Sequence, residues 1–86
     1  MKLIFCLECH DVRKLHMTTT TCNCTKAWGW YRNDGLNAVI GGKAIPLGFD
    51  NKSLVKALRK RPKEGEGERF TAFVISTSCP TIEEIK

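Results

Sequence analysis

Four cysteines near the start of the chain constrain it more than any other feature: Cys6 and Cys9 in Cys-Leu-Glu-Cys-His, then Cys22 and Cys24 in Cys-Asn-Cys. Two closely spaced pairs on a hairpin-length connection are the layout in which two tight turns close on one tetrahedral ion. Each turn can aim two sulfurs at one point, and zinc accepts four such sulfurs at about 2.3 Å. The spacing predicts a zinc site made by Cys6, Cys9, Cys22 and Cys24. Cys-x-Cys is tighter than the commoner Cys-x-x-Cys, so the second turn is expected to be strained or irregular. His10 and His16 are the substitute ligands should Cys24 fall short; otherwise both read as surface residues. A site filled by four thiolates leaves no position for a reacting water, so the metal is expected to be structural.

The same stretch spells Cys-x-x-Cys-His, the attachment pattern of c-type haem. The rest of the chain argues against haem. With His10 as one axial ligand, the other must be His16 or Met17, both too close in sequence to reach the far face of the ring easily. The only other methionine is Met1, and there is no third histidine. Haem would also leave Cys22 and Cys24 unexplained.

Length explains why a metal is needed. The 86 residues read as a single small zinc-stabilised domain spanning 1–86. A chain this short buries little apolar surface without a metal or disulfides to help. Five cysteines, an odd number, fit a disulfide framework poorly. Only Leu3-Ile4-Phe5 stand as an apolar run ahead of Cys6, against the roughly 7–15 residues of a secretory signal. No apolar run approaches the ~20 residues of a membrane span. The expected compartment is the cytoplasm, where thiols stay reduced. Cys79 reads as a small hydrophobe rather than a nucleophile.

The remaining elements suggest an α+β fold: a zinc-ribbon-like β-hairpin head joined to a small antiparallel sheet with one helix. Asp11 to His16 reads as a strand leaving the first turn, and Met17 to Thr21 as a polar stretch leading into the second. Ala27 to Arg32 is an aromatic strand, Asn33-Asp34-Gly35 a turn and Leu36 to Ile40 the returning strand. Gly41-Gly42-Lys43 is a second turn. Ala44 to Phe49 is extended, with Pro46 placing it at a sheet edge. Asp50-Asn51 offers an N-cap for a helix over Lys52–Arg61, whose Leu54, Val55 and Leu58 share a face. Lys63 to Glu68 is a polar connection, Arg69 to Ser76 a β-prone strand, and Thr77 to Lys86 a tail in which Pro80 argues against a continuous strand. The hairpin Trp28–Ile40 and the strand Arg69–Ser76 are expected in one sheet covered by the helix.

Leu36-Asn37-Ala38-Val39, Ala44-Ile45-Pro46-Leu47-Gly48-Phe49, Gly67-Glu68-Arg69-Phe70, Phe73-Val74-Ile75 and Cys79-Pro80 together resemble a family of small phage and bacterial proteins without assigned activity. Those proteins also open on a Cys-x-x-Cys turn with a second cysteine pair nearby. The resemblance covers most of the chain and implies an accessory protein of phage or mobile-element type. Such a protein would work against or alongside host machinery, in the host cytoplasm if phage-encoded. It assigns no functional residue.

Charge points to the partner. The formal charge is +5, lowered by two when four thiolates bind one divalent ion, which still favours an anion. Lys52, Lys56, Arg59, Lys60 and Lys63 can share the exposed side of the helix, although cations at a helix C-terminus also complement its dipole. Trp28, Trp30 and Tyr31 can stack a base or nucleotide ring, Trp28 and Trp30 on one side of the strand and Tyr31 on the other; core packing is the competing role. Lys43 beside two glycines can meet a phosphate. No phosphate-loop or dinucleotide fingerprint is present, nor any Ser/His/Asp signature. The reading is a non-enzymatic binding module for an anionic ligand, a nucleic acid or a signalling nucleotide, and one expected to counter host defence. The ligand would be held by Lys56, Arg59, Lys60 and Lys43, with Trp30 or Tyr31 stacking. The alternative is a protein-interaction module that inhibits or recruits a host protein.

Overall fold

In a computed structural model, residues 1–85 are described. Each cysteine pair sits at the tip of its own β-hairpin. β1 (Lys2–Cys6) and β2 (Val12–Lys14) flank the first pair, and β3 (Thr20–Thr21) and β4 (Ala27–Tyr31) flank the second. β5 (Ala38–Gly42) pairs antiparallel with β4, and β6 (Ala44–Phe49) pairs antiparallel with β1. The turn between β4 and β5 is fixed by Asp34, whose Oδ1 accepts from the backbone N–H groups of Leu36 and Asn37, both at 2.9 Å. Only Lys43 separates β5 from β6, and there the chain changes sheets; Gly42 supplies the left-handed φ of +65° that this corner requires.

The result is two four-stranded sheets, ordered β2-β1-β6-β7 and β3-β4-β5-β8, where β7 is Ala72–Val74 and β8 is Ile82–Ile85. Registers of Cys6 with Ala44 and of Gly29 with Ile40 decide which side chains point inward. Ile4, Cys6 and Ala44 from the first sheet meet Ala27, Ala38 and Ile40 from the second. Leu15 and Cys22 complete this buried cluster. The fold class is mixed α+β, with eight strands and one helix among the described residues. The cysteine turns are not a separate head: each belongs to a different sheet, and Cys6 and Cys22 are themselves core residues.

Several local expectations change. The hairpin of β4 and β5 does not share a sheet with β7, which pairs with β6 instead. The helix, α1 (Asn51–Arg59), does not cover a sheet. It buries only Ala57; Leu54 is half-buried, while Val55 and Leu58 are 45% and 60% exposed. Its entry explains this placement. Asp50 caps it by accepting from Ser53 N at 3.3 Å, the Asp50 N–H donates to Thr71 O at 2.9 Å, and the Thr71 N–H donates to Ser53 Oγ at 2.9 Å. The first turn of α1 is thus tied to the strand ends before the apolar face can reach a sheet.

Pro46 lies inside its sheet, between β1 and β7, not at an edge. Its carbonyl accepts from Ile75 N at 2.9 Å. In an antiparallel strand a residue's N and carbonyl point to the same side, so the missing N–H falls where the ladder to β7 stops at Leu47 and Val74. The tail holds a strand after all. Pro80 sits in the turn closed by Ile82 N to Cys79 O at 3.1 Å, and β8 then runs parallel to β5. The tail's last residue, Lys86, lies outside the described residues. Among the described residues, no helix is long and apolar enough to cross a membrane.

Candidate metal centre

The two cysteine turns have the same backbone design despite their different spacing. In the first, Cys6 N donates to Asp11 O at 2.9 Å and His10 N to Cys6 O at 2.8 Å; in the second, Cys22 N donates to Ala27 O at 2.9 Å and Thr25 N to Cys22 O at 3.0 Å. Both close over six residues. The residue after the second cysteine is left-handed in each, His10 at φ 60° and Thr25 at φ 69°. Neither residue is glycine, so each turn holds a conformation that side chains disfavour. The expected irregularity of the Cys-x-Cys turn is confined to its second cysteine coming one position earlier on an equal loop.

These turns bring the sulfurs of Cys6, Cys9, Cys22 and Cys24 within 4.8 Å of one another. The Sγ of Cys24 is 3.6 Å from that of Cys6 and 3.5 Å from that of Cys22. A disulfide needs about 2.05 Å, and all five cysteines are free thiols. A tetrahedron of sulfurs about 2.3 Å from a central ion has edges of about 3.8 Å. The tetrad can therefore hold a metal ion, and its donors are the soft kind that zinc accepts. Cys6 and Cys22 are buried, Cys24 is half-buried and Cys9 is exposed. Cys24 reaches the cluster, so no histidine is needed: the exposed His10 stacks on Phe5 with ring centroids 5.4 Å apart, and the exposed His16 contributes its carbonyl to Tyr31 N at 2.7 Å.

Backbone N–H groups surround the sulfurs. Glu8 N and Cys9 N point at Cys6 Sγ from 3.4 and 3.5 Å, and Ala27 N at Cys22 Sγ from 3.3 Å. Backbone donors at Asp11 and Cys24 hold the Cys9 thiol below its ordinary range. Burial pushes the Cys22 thiol up, but the Ala27 N–H and the neighbouring thiols outweigh it and bring it down to about 6. Cys24 goes the other way: the Lys26 N–H favours its thiolate, but burial and the three neighbouring sulfurs push it up to about 12. One thiolate forms readily in this cluster, and adding further charge calls for a cation.

No known protein family, curated protein or solved structure matches the chain.

Asp11, which the sequence places beside the site without a role, is part of it. Its Oδ2 accepts from Arg13 Nε at 2.7 Å and from Asn23 N, between the second pair of cysteines, at 2.9 Å. One carboxylate thus ties the first turn to the second. The Arg13 side chain and then the Asn23 N–H hold it below the usual carboxylate range. Lys26 and Glu8 make a second bridge between the turns at 3.3 Å. The signal available in sequence was a short acceptor two positions after Cys9, too common to stand out.

The expected ligand residues are dispersed. Lys56, Arg59 and Lys60 are exposed on and just beyond α1. Lys43 is exposed at the corner between β5 and β6, and Leu7 of the first cysteine turn donates its N–H to the Lys43 carbonyl at 3.0 Å. Trp30 lies half-buried on the outer face of the second sheet. Tyr31 points to the opposite side, packs against the core, and accepts from Lys2 N at 2.8 Å. Cys79 stands apart, half-buried, with its Sγ 3.3 Å from Thr81 Oγ1.

Proposed function

We propose that the chain is a non-enzymatic, zinc-stabilised module that binds an anionic ligand, a nucleic acid or a signalling nucleotide. Zinc is the ion that four thiols with edges near those of a sulfur tetrahedron suit best, and Cys6, Cys9, Cys22 and Cys24 are its ligands. Its role is structural, because the four sulfurs fill a tetrahedral shell. In this reading the protein is of phage or mobile-element type, acts in the host cytoplasm, and sequesters or tracks an anion there, countering a host defence.

The observation that carries the ligand class is the free cationic side of α1. Lys52, Lys56 and Arg59 line one open surface with Asn51 and Val55. Among the described residues, the ion pairs use Arg13, Lys26 and Arg32, and none involves a cation of α1. Unpaired cations on one helix face remain free to meet phosphates. Titration calorimetry with DNA, RNA and cyclic nucleotides at low salt tests the reading. Binding tighter than about 100 μM that weakens steeply with salt, and that the combined change Lys56→Ala, Arg59→Ala, Lys60→Ala abolishes, is the expected result. No binding, or binding indifferent to that change, removes α1 as the site.

A specific observation favours the protein-interaction reading as second. Val55 and Leu58, 45% and 60% exposed, leave apolar surface on the same helix. A host protein recovered at one-to-one stoichiometry and lost on Leu58→Asp would select it.

A further inference from the structure

The outer face of the second sheet carries a row that the helix reading does not use. Side chains alternate along β4, so Trp28 and Trp30 share that face, with Lys26 and Arg32 just beyond the strand's two ends. The sequence of the row is Lys-Trp-Trp-Arg at every second residue. The two indoles are nearly parallel, 12° between planes, with centroids 5.9 Å apart. Across from them on β5 stand Gly41 and Val39. Gly41 has no side chain because the Trp28 ring occupies its place: a Cβ there would lie 2.1 Å from Cζ2. Val39 is 2% exposed, although it points away from the core cluster. The tryptophans are therefore laid over β5 and still half-open to solvent.

We infer that this row is a stacking platform for unpaired bases of a single-stranded nucleic acid, with Trp28 and Trp30 beneath the bases and Lys26 and Arg32 beside the flanking phosphates. Flat aromatic rings on a sheet face, bracketed by cations, match the chemistry of such a strand, since every base has a π-face and every link carries a charge. A duplex does not fit, because its bases are already stacked and paired. Lys26 and Arg32 now pair with Glu8 and Glu83, but their side chains are 58% and 52% exposed. Exposed pairs of this kind contribute little, so a phosphate can displace the carboxylate. The site uses other residues than α1 and stands without it.

Intrinsic tryptophan fluorescence of the metal-loaded protein, titrated at low salt with a short oligothymidylate and separately with a duplex of mixed sequence, tests the platform. The single strand is expected to quench the emission with a Kd below about 100 μM, and the duplex to leave it unchanged. Trp30→Leu should weaken binding at least about fivefold, and Trp30→Phe, which keeps a ring, should restore most of it. Arg32→Gln, an exposed change that leaves the fold intact, should lower the salt slope by about one. An unquenched titration, equal quenching by the duplex, or a salt slope untouched by Arg32→Gln overturns the inference, whether or not α1 binds anions.

Discussion

Asp11 shows how much of the metal centre rests on residues that bind no metal. Its carboxylate spans both cysteine turns, so the second turn loses an anchor when it is removed. Asp11→Ala is expected to speed metal transfer to a chelator a few-fold at pH 7, as about 1 kcal/mol for one net hydrogen bond implies. An absorbance assay with a chromogenic chelator reads this, and an unchanged rate rejects the role. The pH dependence follows from the depressed Asp11 value, caused by Arg13 and then Asn23 N. A depressed carboxylate keeps its bonds throughout the range above about pH 4 and loses them only as pH falls through the lowered value. Acid release of the metal above about pH 4 should therefore be the same in wild type and Asp11→Asn once corrected for affinity, because protons are then competing for the sulfurs. That the four cysteines gather at one point was legible because sulfur chemistry admits few spacings. The equal length of the two turns was not, because it is set by Cys6 N to Asp11 O and Cys22 N to Ala27 O, and backbone closures leave no mark in the cysteine count.

At the scale of elements, α1 and β8 show opposite failures of local pattern. The apolar residues of α1 do recur at helical spacing, and Asp50 caps the helix where its residue type suggests. Spacing alone does not supply a partner, and the bonds at Thr71 hold the helix end away from one. Leu58→Ala should then cost less than about 0.5 kcal/mol in denaturant unfolding, where a buried leucine would cost about 2–5 kcal/mol. Asp50→Ala should cost more, about 1 kcal/mol, through the lost cap. β8 was hidden by Pro80 and by its partner's distance along the chain: parallel pairing with β5 leaves no local hairpin signal. Ile82 is half-buried against the core, and Ile82→Ala should lower stability by about 1–2 kcal/mol, short of the loss at a fully buried site. A loss as small as that expected for Leu58→Ala would mean that β8 contributes little to the second sheet.

Across the whole molecule, the cysteine tetrad stands between two sheets, not inside one. Two of its cysteines come from each sheet's own hairpin, and the buried cluster on either side is small, with alanines at Ala27, Ala38 and Ala44. Chelation should therefore cost the cooperative fold as a whole. Far-ultraviolet circular dichroism and tryptophan emission are expected to change together on adding chelator and to recover with one equivalent of zinc. A chelated protein that keeps a sharp unfolding transition would mean that the sheets hold each other unaided. Rebinding at pH 7 should release protons, with Cys24, pushed up to about 12, as a principal source.

The position of the ligands along the chain has a consequence for how the protein is made. Cys6, Cys9, Cys22 and Cys24 all precede β5, β6, α1, β7 and β8. A ribosome adds about 5–20 residues per second, beginning at the N-terminus, so all four cysteines leave the exit tunnel ahead of the later strands. The four thiols can therefore come together with each sheet only half built. β6 then has β1 to add to, and β5 has β4, each already held at a fixed separation from the other. If the tetrad takes a metal, as proposed, the supply of that ion during translation, and not only in the finished protein, becomes a condition for correct pairing.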